Sequence, residues 1–208
     1  GVSVRISVPG GSELAKKTFN PRLGITGGIS IIGTSGIVRP FSSEAFVNSI
    51  RKEIQVARAL GCPSIVINSG AKSENYLRSR FPDLPAQAFI HYGNYIGDTL
   101  RLADEEGITH ITMGIMIGKA VKLAEGHLDT HSRNVVMNRD FIIALADESH
   151  CPPANIARVA EITLARELWE LFADTPAFFT LLVDRCMAVC RPLLPHATLE
   201  IMLVPEQA

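Results

Sequence analysis

The residues best suited to chemistry lie between positions 118 and 133. Lys119 and Lys122 are three apart, so on a helix both amines share one face. Gly126 closes that helix, and the run after it holds His127, Asp129, Thr130, His131, Ser132 and Arg133. Three arrangements are open to this group. It can be a solvated basic face followed by two polar loop histidines. His127 and His131, four apart, would suit a metal ion on a helix, but Gly126 and the Asp129-Thr130 pair disfavour a helix there. Alternatively, Lys119, Lys122, Arg133 and the imidazoles surround a polyanionic ligand with charge-assisted hydrogen bonds. Arg22, in the run Asn20, Pro21, Arg22, can add to such a cluster. No metal site is expected.

A second group sits at the ends of expected strands. Gly33, Thr34, Ser35 and Gly36 form one stretch, and Asn68, Ser69 and Gly70 another. His91, Tyr92, Gly93 and Asn94 form a third, and the run from Met113 and Gly114 to Gly118 and Lys119 a fourth. One glycine after a strand is ordinary turn geometry. Four in register favour backbone kept clear for a ligand beyond the carboxyl ends of a sheet. The Gly33 stretch matches neither G-x-G-x-x-G nor G-x-x-x-x-G-K-[ST]. No acid follows Asn68 to grip a ribose diol. A ligand with adenosine and no phosphate, such as S-adenosylmethionine, fits better, although composition does not choose it. There is no G-x-S-x-G, no convincing carboxylate pair and no Ser-His-Asp order. That suits a reaction that needs alignment alone, such as methyl displacement from a sulfonium.

The elements that must hold these residues alternate along the chain. Strands are expected around 29–32, at 64–68, 88–91 and 108–115, each followed by a helix, at 42–60, 73–80, 94–106 and 118–125. In the first helix Phe46, Ile50, Ile54 and Ala57 mark the buried stripe, with Arg51, Lys52 and Glu53 turned outward and Ser42 or Ser43 at the cap. Strand–helix alternation implies parallel strands with helices on both faces. The C-terminal third reads as helices at 138–149, 155–172 and 176–193, then a strand at 197–204. The expected fold is therefore α/β. It has a mostly parallel sheet with flanking helices over residues ~25–125, then a helical C-terminal part, with terminal strands 2–8 and 197–204 in a second α+β region. Three segments are expected: a strand and connector at 1–24, a ligand-binding α/β domain at 25–135, and a helical segment with closing strand at 136–208.

Composition bounds the function class. The 208 residues carry 20 Lys+Arg against 21 Asp+Glu, a net charge of −1, so no basic excess exists to neutralise nucleic-acid phosphates or an anionic membrane. With 47% hydrophobic and 20% charged residues the chain is an ordinary globular one, able to bury roughly 70% of its unfolded surface. No apolar run reaches the roughly 18 residues that span a bilayer. Residues 1–8 alternate instead of forming an apolar block, so no secretory signal is expected. Cys62, Cys151, Cys186 and Cys190 contain no C-x-x-C pair and read as free thiols in a reducing cytoplasm.

The run from Pro9, Gly10 and Gly11 through Asn20, Pro21, Arg22, Leu23, Gly24, Ile25, Thr26, Gly27, Gly28 and on to Gly33, Thr34, Ser35, Gly36 and Pro40 closely resembles the signature of the cobalt-precorrin-5B C-1 methyltransferase family, CbiD. Asn68, Ser69, Gly70, Ser73 and Glu74 resemble that family's turn, and 117–127 with Thr130, His131 and Ser132 its later motif. The resemblance spans residues 1–150 in order. It implies methyl transfer from S-adenosylmethionine to carbon 1 of a corrin ring in anaerobic cobalamin synthesis, giving cobalt-precorrin-6A. It also implies that the chain is part of a longer protein with a further N-terminal region. On this reading Gly27, Gly28, Gly33, Thr34, Ser35, Gly36, Asn68, Ser69, Gly70 and Asn94 bind S-adenosylmethionine. Arg22, Lys119, Lys122, His127, Thr130, His131, Ser132 and Arg133 bind the corrinoid, and His131 is the candidate catalytic group. The partners expected are the corrinoid and a second copy of the chain, with no nucleic acid and no membrane. The rival readings are a non-catalytic corrinoid- or nucleotide-binding fragment and a nucleotide-dependent oxidoreductase on a similar sheet.

Overall fold

The computed structural model describes residues 1–5, 7–18, 20–29, 42–131 and 135–205. Helix α1 (Gly11–Ala15) precedes α2 (Ser43–Ala59). Strand–helix units follow: β1 (Ser64–Asn68) and α3 (Ala71–Arg80), β2 (Phe89–His91) and α4 (Ile96–Glu105), β3 (His110–Met116) and α5 (Ile117–Ala124). The last third holds α6 (Arg139–Glu148), α7 (Pro153–Arg158), α8 (Leu168–Leu171), α9 (Pro176–Cys190) and β4 (Thr198–Val204). These four strands form one sheet in the order β2-β1-β3-β4, each paired in parallel with its neighbours.

Side-chain alternation along the strands gives the sheet two different faces. Ile65 and Ile67 of β1, Ile111, Met113 and Ile115 of β3, and Leu199, Ile201 and Leu203 of β4 point into the main core. That core is closed by Ile50, Ile54 and Ala57 of α2, Leu100 of α4, Val121 of α5 and Leu182 of α9. On the other face Val66, Phe89 and Met202 pack with Leu77 of α3. The helices thus cover both faces, but unevenly. Gly114 lets α3 approach β3, since a β-carbon there would stand 2.4 Å from Leu77 Cδ1.

Four expectations are corrected. The closing strand does not belong to a second region: β4 pairs with β3 over its whole length, from His110–Thr198 to Met116–Val204. Alternation defines a strand but says nothing of its neighbour, and here Asp104 at the end of α4 sets the register. Its carboxylate accepts the backbone N–H groups of His196 and Ala197, both at 3.0 Å. Residues 1–5, 7 and 8 form no strand here, and Val2 and Val4 are exposed, so alternation alone did not make a strand of them. The helix expected over 155–172 is broken into α7, a 3-10 turn (Ala165–Glu167) and α8, because side chains capture the backbone between them. The Arg139 guanidinium donates to Ile162 O at 2.8 Å, and Glu167 takes the N–H groups of Thr163 and Leu164. Glu53 faces inward and is buried. It lies on the 46, 50, 53, 57 stripe, and its Oε2 accepts the His91 N–H at 3.1 Å, which offsets the cost of burying the carboxylate. The strand expected around 29–32 falls mostly outside the described residues.

Candidate functional site at the carboxyl ends of the strands

Where β1 ends, Asn68 is fully buried. Its Nδ2 donates to Ile90 O and its Oδ1 accepts the Gly70 N–H, both at 3.1 Å, so the amide ties β1 to β2 and shapes the turn into α3. Ser73 Oγ holds the same turn by accepting from Ser69 N at 3.1 Å. His91 Nε2 lies 2.9 Å from Ser69 O, joining the ends of β1 and β2. Beyond β2, Tyr92 is fully buried and donates to Gly114 O at 3.1 Å; burial pushes its phenol far up. Gly93 then adopts φ +60, and a β-carbon there would stand 2.9 Å from the Phe46 ring, so only glycine fits the turn between β2 and α4.

The segment after α5 folds back on that turn. Tyr95 and Asp129 form an antiparallel bridge, Gly97 N donates to Leu128 O at 3.2 Å, and Thr130 N donates to Asn94 O at 3.1 Å. Asp129 Oδ1 accepts the His131 N–H at 3.0 Å. From α5, Lys119 reaches across: its Nζ donates to Gly93 O at 2.6 Å and to Asn94 Oδ1. Lys122 Nζ donates to Thr130 O at 3.3 Å. Burial, together with the neighbouring Lys122, pulls the Lys119 amine down to about 8, against the opposing pull of Asp129. Burial also lowers Lys122.

Two cavities open here. The larger, about 690 Å³, lies between α5, residues 130–131 and 135–137, and the turn 163–166. Lys119, Lys122 and Arg166 border it with an apolar lip, on which Val136 is 80% and Leu164 48% exposed. Thr130 borders it too; the residue is 2% exposed, and among the described residues its hydroxyl has no hydrogen-bond partner. The smaller cavity, about 410 Å³, is lined by Ser42, Ser43, Ser69, Phe46, Tyr95 and His91. Asn94, Lys119 and His131 line both and form their common wall.

Six of the expected site residues therefore border the cavities: Ser69, Asn94, Lys119, Lys122, Thr130 and His131. Asn68 and Gly70 build the turn beside them. His127 borders neither cavity and lies 3.7 Å from Glu125 Oε2. Gly27 and Gly28 also border neither; Gly28 O accepts from Asn20 Nδ2 at 3.1 Å. Gly33, Thr34, Ser35, Gly36, Ser132, Arg133 and the Arg22 side chain lie outside what is described. The sequence reading missed Phe46, Tyr95 and the turn at 163–166 as cavity walls. Phe46 and Tyr95 sit with ring centroids 5.4 Å apart, and their sequence signal is that of core residues. Among the described residues no group of three His, Cys, Asp or Glu could hold a metal ion, and no helix is long and apolar enough to cross a membrane.

The profile CbiD matches residues 1–40, and the profile CbiD, C-terminal domain, matches residues 129–207. A protein of Prosthecochloris aestuarii named cobalt-precorrin-5B C(1)-methyltransferase is 43% identical over 210 residues, covering all of this chain and 57% of that protein. Proteins of the same name from Geobacillus thermodenitrificans and Priestia megaterium are 44% and 40% identical over 188 residues, 89% of this chain. The chain spans little more than half the length of these relatives, 57%, 50% and 51%. No solved structure matches it significantly. Both profiles describe one family and together cover more than half of the chain, and the matching relatives share one name; the chain belongs to the CbiD family.

Proposed function

We propose that the protein acts as a C-methyltransferase, moving a methyl group from S-adenosylmethionine to carbon 1 of the corrin ring of cobalt-precorrin-5B. The products are cobalt-precorrin-6A and S-adenosylhomocysteine, in the cytoplasm, where its four free cysteines stay reduced. The observation that carries the reading is the pair of cavities with one common wall, Asn94, Lys119 and His131. Transfer between two bound partners needs two adjoining sites and a fixed alignment across the boundary.

The residues fit S-adenosylmethionine. The smaller cavity offers the Phe46 and Tyr95 rings for a flat base and the Ser42, Ser43 and Ser69 hydroxyls for a ribose. When bound, that group supplies a methyl made electrophilic by its sulfonium. The larger cavity suits a macrocycle with an apolar body and an anionic rim: Val136 and Leu164 meet the ring, and Lys119 and Lys122 meet its carboxylates. The unpartnered Thr130 hydroxyl is a ready donor to the same ligand. Gly93 O and Asn94 Oδ1 keep Lys119 Nζ at the boundary, so its charge orients the corrinoid toward the smaller cavity.

Titration calorimetry with S-adenosylhomocysteine and with NADPH tests the class. Binding of the first alone is expected, and a labelled methyl should pass to cobalt-precorrin-5B. Binding of NADPH without S-adenosylhomocysteine would overturn the reading in favour of an oxidoreductase.

A further inference from the structure

The turn at 163–166 is held far more firmly than an exposed loop needs. Just before it, Ile162 is buried, and its carbonyl takes two N–H groups of Arg139, at 2.8 and 3.3 Å. At its end, Glu167 Oε1 reaches back to accept from Thr163 N at 2.9 Å, Thr163 Oγ1 at 3.1 Å and Leu164 N at 2.6 Å. The carboxylate thereby satisfies free N–H groups at the start of the 3-10 turn, the half of a capping box that the residue at the third helical position supplies. In the middle, Ala165 lies against the first turn of α5: a β-carbon at Gly118 would stand 3.4 Å from the Ala165 β-carbon. The turn thus comes from a segment some forty residues beyond α5 in sequence and is locked beside Lys119 and Lys122.

What the lock presents is Arg166. The residue borders the larger cavity with the two lysines. Among the described residues it makes no hydrogen bond or ion pair, whereas Arg139, Arg78 and Arg185 are all engaged. An arginine held on a rigid turn at a cavity, with its planar fork free, is suited to bidentate recognition of a carboxylate. We propose that Arg166 is a further specificity residue of the corrinoid site, taking a peripheral carboxylate of the ring, and that Glu167 is the residue that positions it. The proposal rests on the methyl-transfer reading, which supplies the polycarboxylate ligand. It adds a third cation, contributed by the C-terminal part of the chain.

The test compares the binding of cobyrinic acid, a corrin with free peripheral carboxylates, with that of its fully methyl-esterified form, followed by visible absorbance. The wild type should prefer the acid. Arg166→Gln should weaken acid binding about fivefold or more and leave the ester unchanged. Arg185→Gln, which removes a remote exposed arginine, should leave both unchanged. Glu167→Ala should act as Arg166→Gln does. Glu167→Gln keeps an acceptor oxygen and should retain the preference for the acid, which a general loss of folding would not produce. An Arg166→Gln protein that binds acid and ester as the wild type does, or loses both equally, overturns the assignment of Arg166. A Glu167→Ala protein with wild-type preference overturns the positioning role alone. A wild type that binds neither corrin, or both equally, overturns the substrate reading itself.

Discussion

At the scale of single residues, Lys119 is the group whose environment matters most. Burial and Lys122 on its own helix lower its affinity for a proton; Asp129 from the segment after α5 raises it, with His131 sharing the wall and the Tyr92 ring 6.0 Å away. The amine is therefore charged below about pH 8 and loses that charge above it. If it holds a substrate carboxylate, kcat/KM for the corrinoid should fall as pH rises through about 8, because that ratio reports the free enzyme. Lys119→Arg stays charged and should abolish this inflection; an unchanged inflection would assign it to another group. Thr130 makes the opposite trade. Its hydroxyl is buried without a partner among the described residues, so Thr130→Val removes an unsatisfied polar atom at nearly constant shape. It should stabilise the ligand-free protein by about 1 kcal/mol, a rise of roughly 2–4 °C in Tm, and weaken corrinoid binding. A fall in Tm would show that the hydroxyl is satisfied in solution.

At the scale of elements, the site depends on close approach between chain segments. Glycine at 114 brings α3 onto β3, and the same residue's carbonyl accepts from buried Tyr92. Leu77, which fills the space, is fully buried, so it cannot swing away from an added methyl. Gly114→Ala should cost roughly 1–3 kcal/mol in chemical denaturation. The cost should shrink in a Leu77→Ala background, because the two residues compete for one volume. Equal costs in both backgrounds would mean that the strand, not the packing, resists the change. The turn at Asn68 works by hydrogen bonds instead. Its amide donates to Ile90 O and accepts the Gly70 N–H, both at 3.1 Å, in a fully buried position. Asn68→Leu, similar in size, should therefore destabilise by about 1–3 kcal/mol through the two side-chain hydrogen bonds lost and the Gly70 N–H left without its acceptor. It should also disturb the smaller cavity through Ser69.

At the scale of the whole molecule, the last strand completes the sheet that carries the site. β4 pairs with β3 at seven positions, from Thr198 to Val204, and packs Leu199, Ile201 and Leu203 into the main core. Removing residues 198–205 should abolish cooperative thermal unfolding; a truncated protein that melts as the intact one does would show that the sheet stands without β4. The local content of this architecture was legible in the chain. The stripe of Phe46, Ile50, Ile54 and Ala57 predicts α2, the apolar runs predict β1 and β3, and glycine-marked strand ends place Ser69, Asn94 and Lys119 near the carboxyl ends of a parallel sheet, where the cavities open. The CbiD profiles match residues 1–40 and 129–207, on either side of these segments. Such signals are periodicities and spacings within a few turns of chain, set by the geometry of helix and strand themselves. The neighbour of β4, the burial of Glu53 under His91, the break that makes the turn at 163–166, and the approach of Arg166 to Lys119 and Lys122 were decided only by tertiary structure. Each joins residues tens of positions apart, through a strand pairing, a captured backbone group or a shared cavity wall, and no local pattern encodes which distant surface a segment will meet.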